Sequence, residues 1–294
     1  VLTVDRLTKK FGRIVAADDI SFSVEEGSIT ALLGENGSGK TTVLRALLGL
    51  VRPTSGAATI FGRPYAKLET PACTVGVVLE RPPFDPRRTG LVSLRIRAAV
   101  LGIDDRRCDE VLRRVGIAPD DAKRRVRTYS LGMQQRLAVA AALLGEPRVL
   151  IFDEPTNGLD PDAILWLRET VRDLADGGKS VLFSTHAVHE ADLISDAVVI
   201  LRRGRVIASG PLGDVAGQPT VVAGSDDTGR LLAALTSAGF ACHAENKGRV
   251  AVEVSDPRAV AAVAAREQID VHELFVRVGN LEQAYFAAVA GART

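Results

Sequence analysis

Apolar and polar positions alternate at the start of the chain. Leu2-Thr3-Val4 and then Ile20 to Val24 carry a period of two, with Gly12-Arg13 between them and Glu26-Gly27 after them as turns. Residues 1 to about 30 therefore read as short strands joined by turns. Ser28-Ile29-Thr30-Ala31-Leu32-Leu33 is a mostly apolar run of strand length that ends at a glycine-rich loop, and from Thr41 to Val51 the apolar residues recur at helical spacing. The order is strand, glycine loop, helix. Residues from about 85 to 135 carry helical periodicity and many arginines, with Pro82, Pro83 and Pro86 marking the entry. Val149 to Asp153 and Ser180 to Thr185 follow as hydrophobic runs of the kind that a parallel sheet buries on both faces. Between them Asp160-Pro161 supplies a cap and a first-turn proline, which predicts a helix to about Ala175. A hairpin closes the region, from Ala197 to Leu201, through Arg203-Gly204, and back from Arg205 to Ala208.

After Gly210-Pro211 the composition shifts, and Gly217-Gln218-Pro219 reads as a linker. The remainder gives strand (Thr220–Ala223), helix (Thr228–Ala238), strand (Phe240–Ala244), strand (Arg249–Val254), helix (Pro257–Arg266), strand (Asp270–Val276) and helix (Leu281–Ala290). This β-α-β-β-α-β order suggests a small split-βαβ unit. The expected division is an α/β domain over 1–215, with its helical region at about 85–135, and a small α+β domain over 216–294.

Composition narrows the function classes. The 37 basic and 36 acidic residues leave a net charge of +1, so no bulk attraction to nucleic acid or anionic lipid is expected. The basic run Lys123-Arg124-Arg125-Val126-Arg127 follows Asp120-Asp121 and reads as a solvated helix face. Cys73, Cys108 and Cys242 lie far apart, without metal spacing, which suits a reducing compartment. The longest apolar stretch, Leu137 to Leu144, falls far short of the roughly 20 residues that cross a bilayer. Asp5, Arg6, Lys9 and Lys10 leave the start of the chain without the pattern of a secretory leader. The expectation is a soluble intracellular protein that reaches a membrane only through a partner.

Gly34-Glu35-Asn36-Gly37-Ser38-Gly39-Lys40-Thr41-Thr42 fits G-x-x-x-x-G-K-[ST] and lies between an apolar strand and a helix. Gly34, Asn36, Gly37, Ser38, Gly39 and Thr42 form the cradle, because glycines let successive N–H groups turn toward phosphate oxygens. The helix start presents its positive end to the same anion. Lys40 supplies charge to the outer phosphates, and Thr41 a hydroxyl to Mg²⁺. Val149-Leu150-Ile151-Phe152-Asp153-Glu154 is a strand that delivers two carboxylates to the sheet edge where α/β ligands bind. Asp153 is the expected Mg²⁺ ligand and Glu154 the general base for an attacking water. Together these segments describe a nucleotide hydrolase site.

Further segments resemble the ATP-binding subunits of ABC transporters. Tyr129-Ser130-Leu131-Gly132-Met133-Gln134-Gln135-Arg136 resembles the family's signature segment, Gly158-Leu159-Asp160 its D-loop, and Ser184-Thr185-His186 its switch histidine. Phe11 sits where the family places an aromatic against adenine. The resemblance spans about residues 1 to 215. It implies a P-loop NTPase with a RecA-like core, an antiparallel β subdomain and a helical subdomain. It also implies ATP and Mg²⁺ as ligands, and a head-to-tail homodimer in which Ser130 and Gly132 cover the γ-phosphate held by the opposite copy. Asp160 joins that site, and His186 bonds the γ-phosphate there. The implied partner is an integral-membrane permease on a separate chain, with this subunit peripheral on the cytoplasmic face of the membrane.

Three positions depart from the family pattern. Leu131 replaces a signature glycine, Met133 replaces its glutamine, and Glu80 stands where a Q-loop glutamine is usual. A carboxylate there ligates a hard cation at least as readily as an amide does. The Glu80-Arg81-Pro82-Pro83-Phe84 segment and Tyr129-Ser130-Leu131-Gly132-Met133 resemble the drug-export branch typified by bacitracin- and daunorubicin-resistance ATPases. His189, His243 and His272 carry no such argument, and Trp166 reads as core.

The other function classes lack their marks. DNA-repair and chromosome ATPases of this type would carry coiled coils or zinc cysteines, and ribosome-bound ones a second P-loop. A GTPase would carry an Asn-Lys-x-Asp base reader, and Asn246-Lys247 has no aspartate after it.

Overall fold

The structure, a computed structural model, describes residues 1–217, 219–246, 248–277 and 279–291. Gln218 of the expected linker and Lys247 of the Asn246-Lys247 pair lie outside them. The chain divides into two compact units. One holds residues 1–211 and the last helix from Ala288, and the other holds 212–287. The division falls after Pro211 rather than after residue 215.

The first unit opens on β1 (Leu2–Phe11) and β2 (Ile14–Val24), one long hairpin turned at Gly12-Arg13. Then come β3 (Ile29–Leu33), α1 (Lys40–Leu47), β4 (Ser55–Ile60), α2 (Pro71–Thr74) and β5 (Val75–Val78). The helical region holds α3 (Gly90–Leu101), α4 (Arg106–Arg114), α5 (Pro119–Ala122) and α6 (Leu131–Leu143), which runs past residue 135. The unit continues with β6 (Val149–Asp153), α7 (Pro161–Asp176), β7 (Ser180–Thr185), α8 (Val188–Ile194), β8 (Ala197–Arg202) and β9 (Arg205–Pro211).

Two sheets share one core. Strands β2-β1-β4 form an antiparallel sheet, and β5-β6-β7-β3-β8-β9 a six-stranded sheet that is parallel from β5 to β8. α1 packs Val43, Leu44 and Leu47 into a cluster with Leu2, Leu7 and Ile20 of the small sheet and Leu32, Ile151 and Leu182 of the large one. β3 and β7 are buried along their whole length, which explains why their sequences do not alternate. All parallel strands present their carboxyl ends to one edge, beside the glycine loop.

Some elements differ from the sequence expectation. α1 stops at Leu47 because Gly49 turns left-handed (φ 68°), so the apolar residues after it do not extend the helix. The Lys123–Arg127 run is not a helix face. α5 ends at Ala122, and Lys123 and Arg124 turn back to pair with Asp120 and Asp121 in solvent. Trp166 is half-buried rather than core, and its ring carries the Arg136 guanidinium 4.1 Å from its centre.

The second unit holds α9 (Leu212–Ala216), β10 (Thr220–Gly224), α10 (Thr228–Ser237), β11 (Cys242–Glu245), β12 (Arg249–Val252), α11 (Pro257–Arg266), β13 (Glu273–Arg277) and most of α12 (Leu281–Gly291). Its antiparallel sheet has the order β11-β12-β10-β13. Val221, Ala223, Val250 and Val252 bury one face under α10 and α11. β11 and β13 begin two and three residues later than the sequence pattern suggests.

Candidate active site

The loop from Gly34 to Gly39 joins β3 to α1 and is pressed against the backbone around it. Gly39 caps α1 at φ 110°, and a Cβ there would lie 2.6 Å from the carbonyl oxygen of Ala16, so only glycine fits. A Cβ on Gly34 would lie 2.4 Å from the carbonyl oxygen of Leu201, which fixes the loop against β8. Gly204, in the β8–β9 turn, donates its N–H to the Ser38 carbonyl at 2.9 Å.

Lys40 is 5 % exposed, and its ammonium is held from three directions. It donates to the carbonyls of Gly34 and Glu35 and pairs with Glu154 Oε1 at 3.0 Å. The other Glu154 oxygen, Oε2, lies 2.8 Å from Nδ1 of His186, which follows β7. Glu154 thus stands between a lysine from the phosphate loop and a histidine from the neighbouring strand end. It is 8 % exposed and adopts φ 46°, a left-handed conformation uncommon outside glycine. Strain of this kind persists where its surroundings over-determine it.

Asp153, one residue earlier, is braced sideways. Ser184 Oγ donates to Asp153 Oδ1 at 2.7 Å and accepts the Glu154 N–H at 2.9 Å, while Thr41 Oγ1 lies 3.5 Å from the same oxygen. Burial holds the Asp153 carboxyl above the usual carboxylate range. The Ser184 hydrogen bond opposes that shift, and the neighbouring Glu154 and Glu80 charges add to it. Glu80 follows β5 and accepts from Asn157 Nδ2 at 3.3 Å.

These groups surround an open cleft of about 510 Å³ lined by Phe11, Ala16, Asn36, Gly37, Gly39, Lys40, Thr41, Thr42, Glu80, Glu154 and Asn157. Phe11 is half exposed at its rim, with the Lys9 ammonium 4.8 Å from its ring centre. Gly34 and Ser38 are buried within the loop and do not line the cleft, and Asp153 opens onto an adjoining hollow with Thr41 and Glu80. Ser130, Gly132 and Asp160 do not line the cleft. Ser130 caps α6 by accepting from Met133 N–H, and Asp160 caps α7 by accepting from Ala163 N–H at 2.8 Å. Gly132 lets α6 meet α7, since a Cβ there would lie 3.0 Å from Ala163 Cβ. Their exposed neighbour Leu131 packs a methyl over Gly158.

Sequence reasoning did not assign Ser184, Asn157 or Ala16 to the site. A serine inside a hydrophobic strand signals nothing by itself. It becomes functional because the β6–β7 register places it opposite Asp153.

The geometry is that of a nucleoside triphosphate hydrolase, and known proteins match it. The ABC transporter family model covers residues 17–157, and a domain of unknown function covers 219–282. An uncharacterised ABC transporter ATP-binding protein of Bacillus subtilis (strain 168), YdbJ, is 42% identical over 211 residues, 71% of this chain and 68% of its own. The bacitracin transport ATP-binding protein BcrA of Bacillus licheniformis is 39% identical over 214 residues, 72% of this chain and 70% of its own. Among solved structures, an ATP-binding subunit of an ABC transporter superposes with a TM-score of 0.66 at 32% identity, over 73% of this chain and 91% of that one. A lysine-bearing phosphate loop, paired acids at the end of a buried strand and relatives of this kind lead to one conclusion: the chain belongs to the ABC transporter ATP-binding proteins, which bind and hydrolyse ATP.

Proposed function

We propose that this subunit powers the export of a drug-like or antibiotic-like molecule through a separate integral-membrane permease, at whose cytoplasmic face it works as a homodimer. The observation that carries the catalytic part is the meeting of Lys40, Thr41 and Glu154 in the wall of one cleft, with Asp153 held beside Thr41 and His186 bonded to Glu154 behind them. The export branch is supported by the likeness to the bacitracin transport protein and by Glu80 in the cleft wall. Among the described residues no helix is long and apolar enough to cross a membrane.

The donor set suits Mg²⁺. Asp153, Glu80 and the Thr41 hydroxyl are hard oxygen donors on one side of the cleft, and the crowding of carboxylates around Asp153 favours a cation beside it. The described residues hold no cluster of three or more His, Cys, Asp or Glu able to hold a metal, so nucleotide oxygens would complete the coordination. When bound, the cation would neutralise charge on the outer phosphates.

The residues then divide the work. The Gly34–Gly39 backbone and the start of α1 receive the phosphates. Lys40 turns from its carbonyl and Glu154 partners toward the outer phosphates, which frees Glu154 Oε1 to accept a proton from water. His186 holds Glu154 Oε2, orients the carboxylate and senses the outer phosphate. Phe11 stacks the base at the rim. Ser130, Gly132 and Asp160, which stand outside the cleft of their own copy, act on the nucleotide of the opposite copy. Residues 1–211 form the ATPase domain, and the following unit is an added domain.

Steady-state hydrolysis by wild type and Glu154→Gln, with light scattering to follow association, tests this function. Wild type should turn over ATP, and the variant should accumulate as an ATP-bound dimer. A variant that keeps full turnover and does not associate refutes both the base and the shared site.

A further inference from the structure

The second unit leaves one edge of its sheet unguarded. In the order β11-β12-β10-β13 the outer strands are β11 and β13. β13 reads Glu273-Leu274-Phe275-Val276-Arg277 and pairs with β10 residue for residue, from Gly224 opposite Glu273 to Thr220 opposite Arg277, with no bulge. Leu274, Phe275 and Val276 are 36%, 38% and 38% exposed, although they point alternately to both faces. The uncovered feature is therefore the edge itself rather than one face. Native edges are blunted by charged side chains, proline, bulges or a covering element. β13 has no proline and no bulge, keeps its two charges, Glu273 and Arg277, at its ends, and has no strand on its outer side among the described residues.

The strand is complementary to itself. If two copies run antiparallel about an axis through Phe275, Phe275 faces Phe275, Leu274 faces Val276, and Glu273 faces Arg277 at both ends. Aromatic pairs and opposite charges directly across from each other are favourable. A register slipped by one residue turns every side chain to the wrong face. The end charges are already ordered within the unit. Arg249 holds Glu273 through two hydrogen bonds of 2.7 and 2.8 Å, and Glu245 holds Arg277 through two of 2.6 and 2.8 Å. Across the seam the signs alternate, Arg249, Glu273, Arg277 of the second copy, Glu245 of the second copy.

We propose that β13 is a dimerisation strand, which pairs antiparallel with β13 of a second copy of this chain and merges the two C-terminal sheets into one. The contact is isologous and needs no nucleotide. It is separate from the ATP-dependent association of the ATPase units, and it would keep the two copies together between cycles.

The test uses the full chain without nucleotide and with a chelator, measured by sedimentation. Wild type should sediment at twice 31.2 kDa. Phe275→Asp, which opposes like charges on the axis, should sediment at 31.2 kDa and keep wild-type basal hydrolysis. Under mild oxidation Phe275→Cys should form a disulfide-linked dimer well above the wild-type background from Cys73, Cys108 and Cys242, whereas Leu274→Cys should not. That second readout holds even if the aspartate variant does not fold. A wild-type chain that is monomeric without nucleotide overturns the proposal. So does a Phe275→Cys chain that cross-links no more than Leu274→Cys. A β13 edge that instead accepts a strand from a membrane subunit would give that monomeric result.

Discussion

Ser184 stands directly opposite Asp153 in the β6–β7 pair, and its hydroxyl ties that carboxylate at 2.7 Å to the backbone N–H of Glu154 at 2.9 Å. One fully buried side chain therefore positions both acids of the site. It also satisfies a backbone donor at a residue whose φ of 46° leaves little room for adjustment.

Ser184→Ala should lower ATP turnover by roughly tenfold or more, since it leaves a buried N–H without an acceptor at a cost of about 1–3 kcal/mol. The Mg²⁺ concentration for half-maximal turnover should rise, while binding of a nucleotide in the absence of Mg²⁺ should stay at the wild-type level. Unchanged Mg²⁺ dependence would mean that Ser184 only fills space.

Asp153→Asn removes a charge that burial, Glu154 and Glu80 all disfavour. The nucleotide-free variant should melt at a higher temperature than wild type, because an amide oxygen still accepts the Ser184 proton. Its Mg²⁺-dependent hydrolysis should fall by more than about a hundredfold. Calorimetry and turnover on one preparation separate the two effects. A lower melting temperature would show that the carboxylate stabilises the empty site.

Gly39→Ala puts a Cβ 2.6 Å from a backbone carbonyl at a position where φ is 110°. Neither the Ala16 backbone nor the helix start can yield cheaply, so the cost should be about 1–3 kcal/mol. Nucleotide affinity, measured by titration calorimetry, should drop by at least about tenfold. Gly213→Ala, in open space at ordinary φ, is the control and should change neither quantity.

Glu245 is held below the usual carboxylate range, chiefly by its hydrogen bonds to Arg277. An acid whose folded pKa is depressed contributes stability that is present above its unfolded value and is lost as pH falls through the folded one. The second unit should therefore lose stability as pH drops below the ordinary glutamate value of 4.5. Glu245→Gln should be less stable at neutral pH and show a shallower acid loss, read by denaturant melts across pH. Parallel pH curves for the two proteins would exclude this pair as the cause.

Much of this protein was determined by local sequence. The Gly34–Thr42 spacing, the apolar strand ending in Asp153-Glu154 and the Asp160-Pro161 helix start each encode their structure within a few residues, so they could be read directly. The alternation of strands and helices after residue 219 was legible for the same reason, through period and capping, with strand starts off by a few residues. Only the tertiary structure decided what depends on register between distant segments. The parallel pairing of β6 with β7 turns Ser184 into the brace of both acids, and the meeting of loop and strand ends gives Glu154 two partners, Lys40 and His186. The antiparallel order that leaves β13 outermost is of the same kind. A side chain's neighbours across a sheet follow from topology, and no window along the chain contains them.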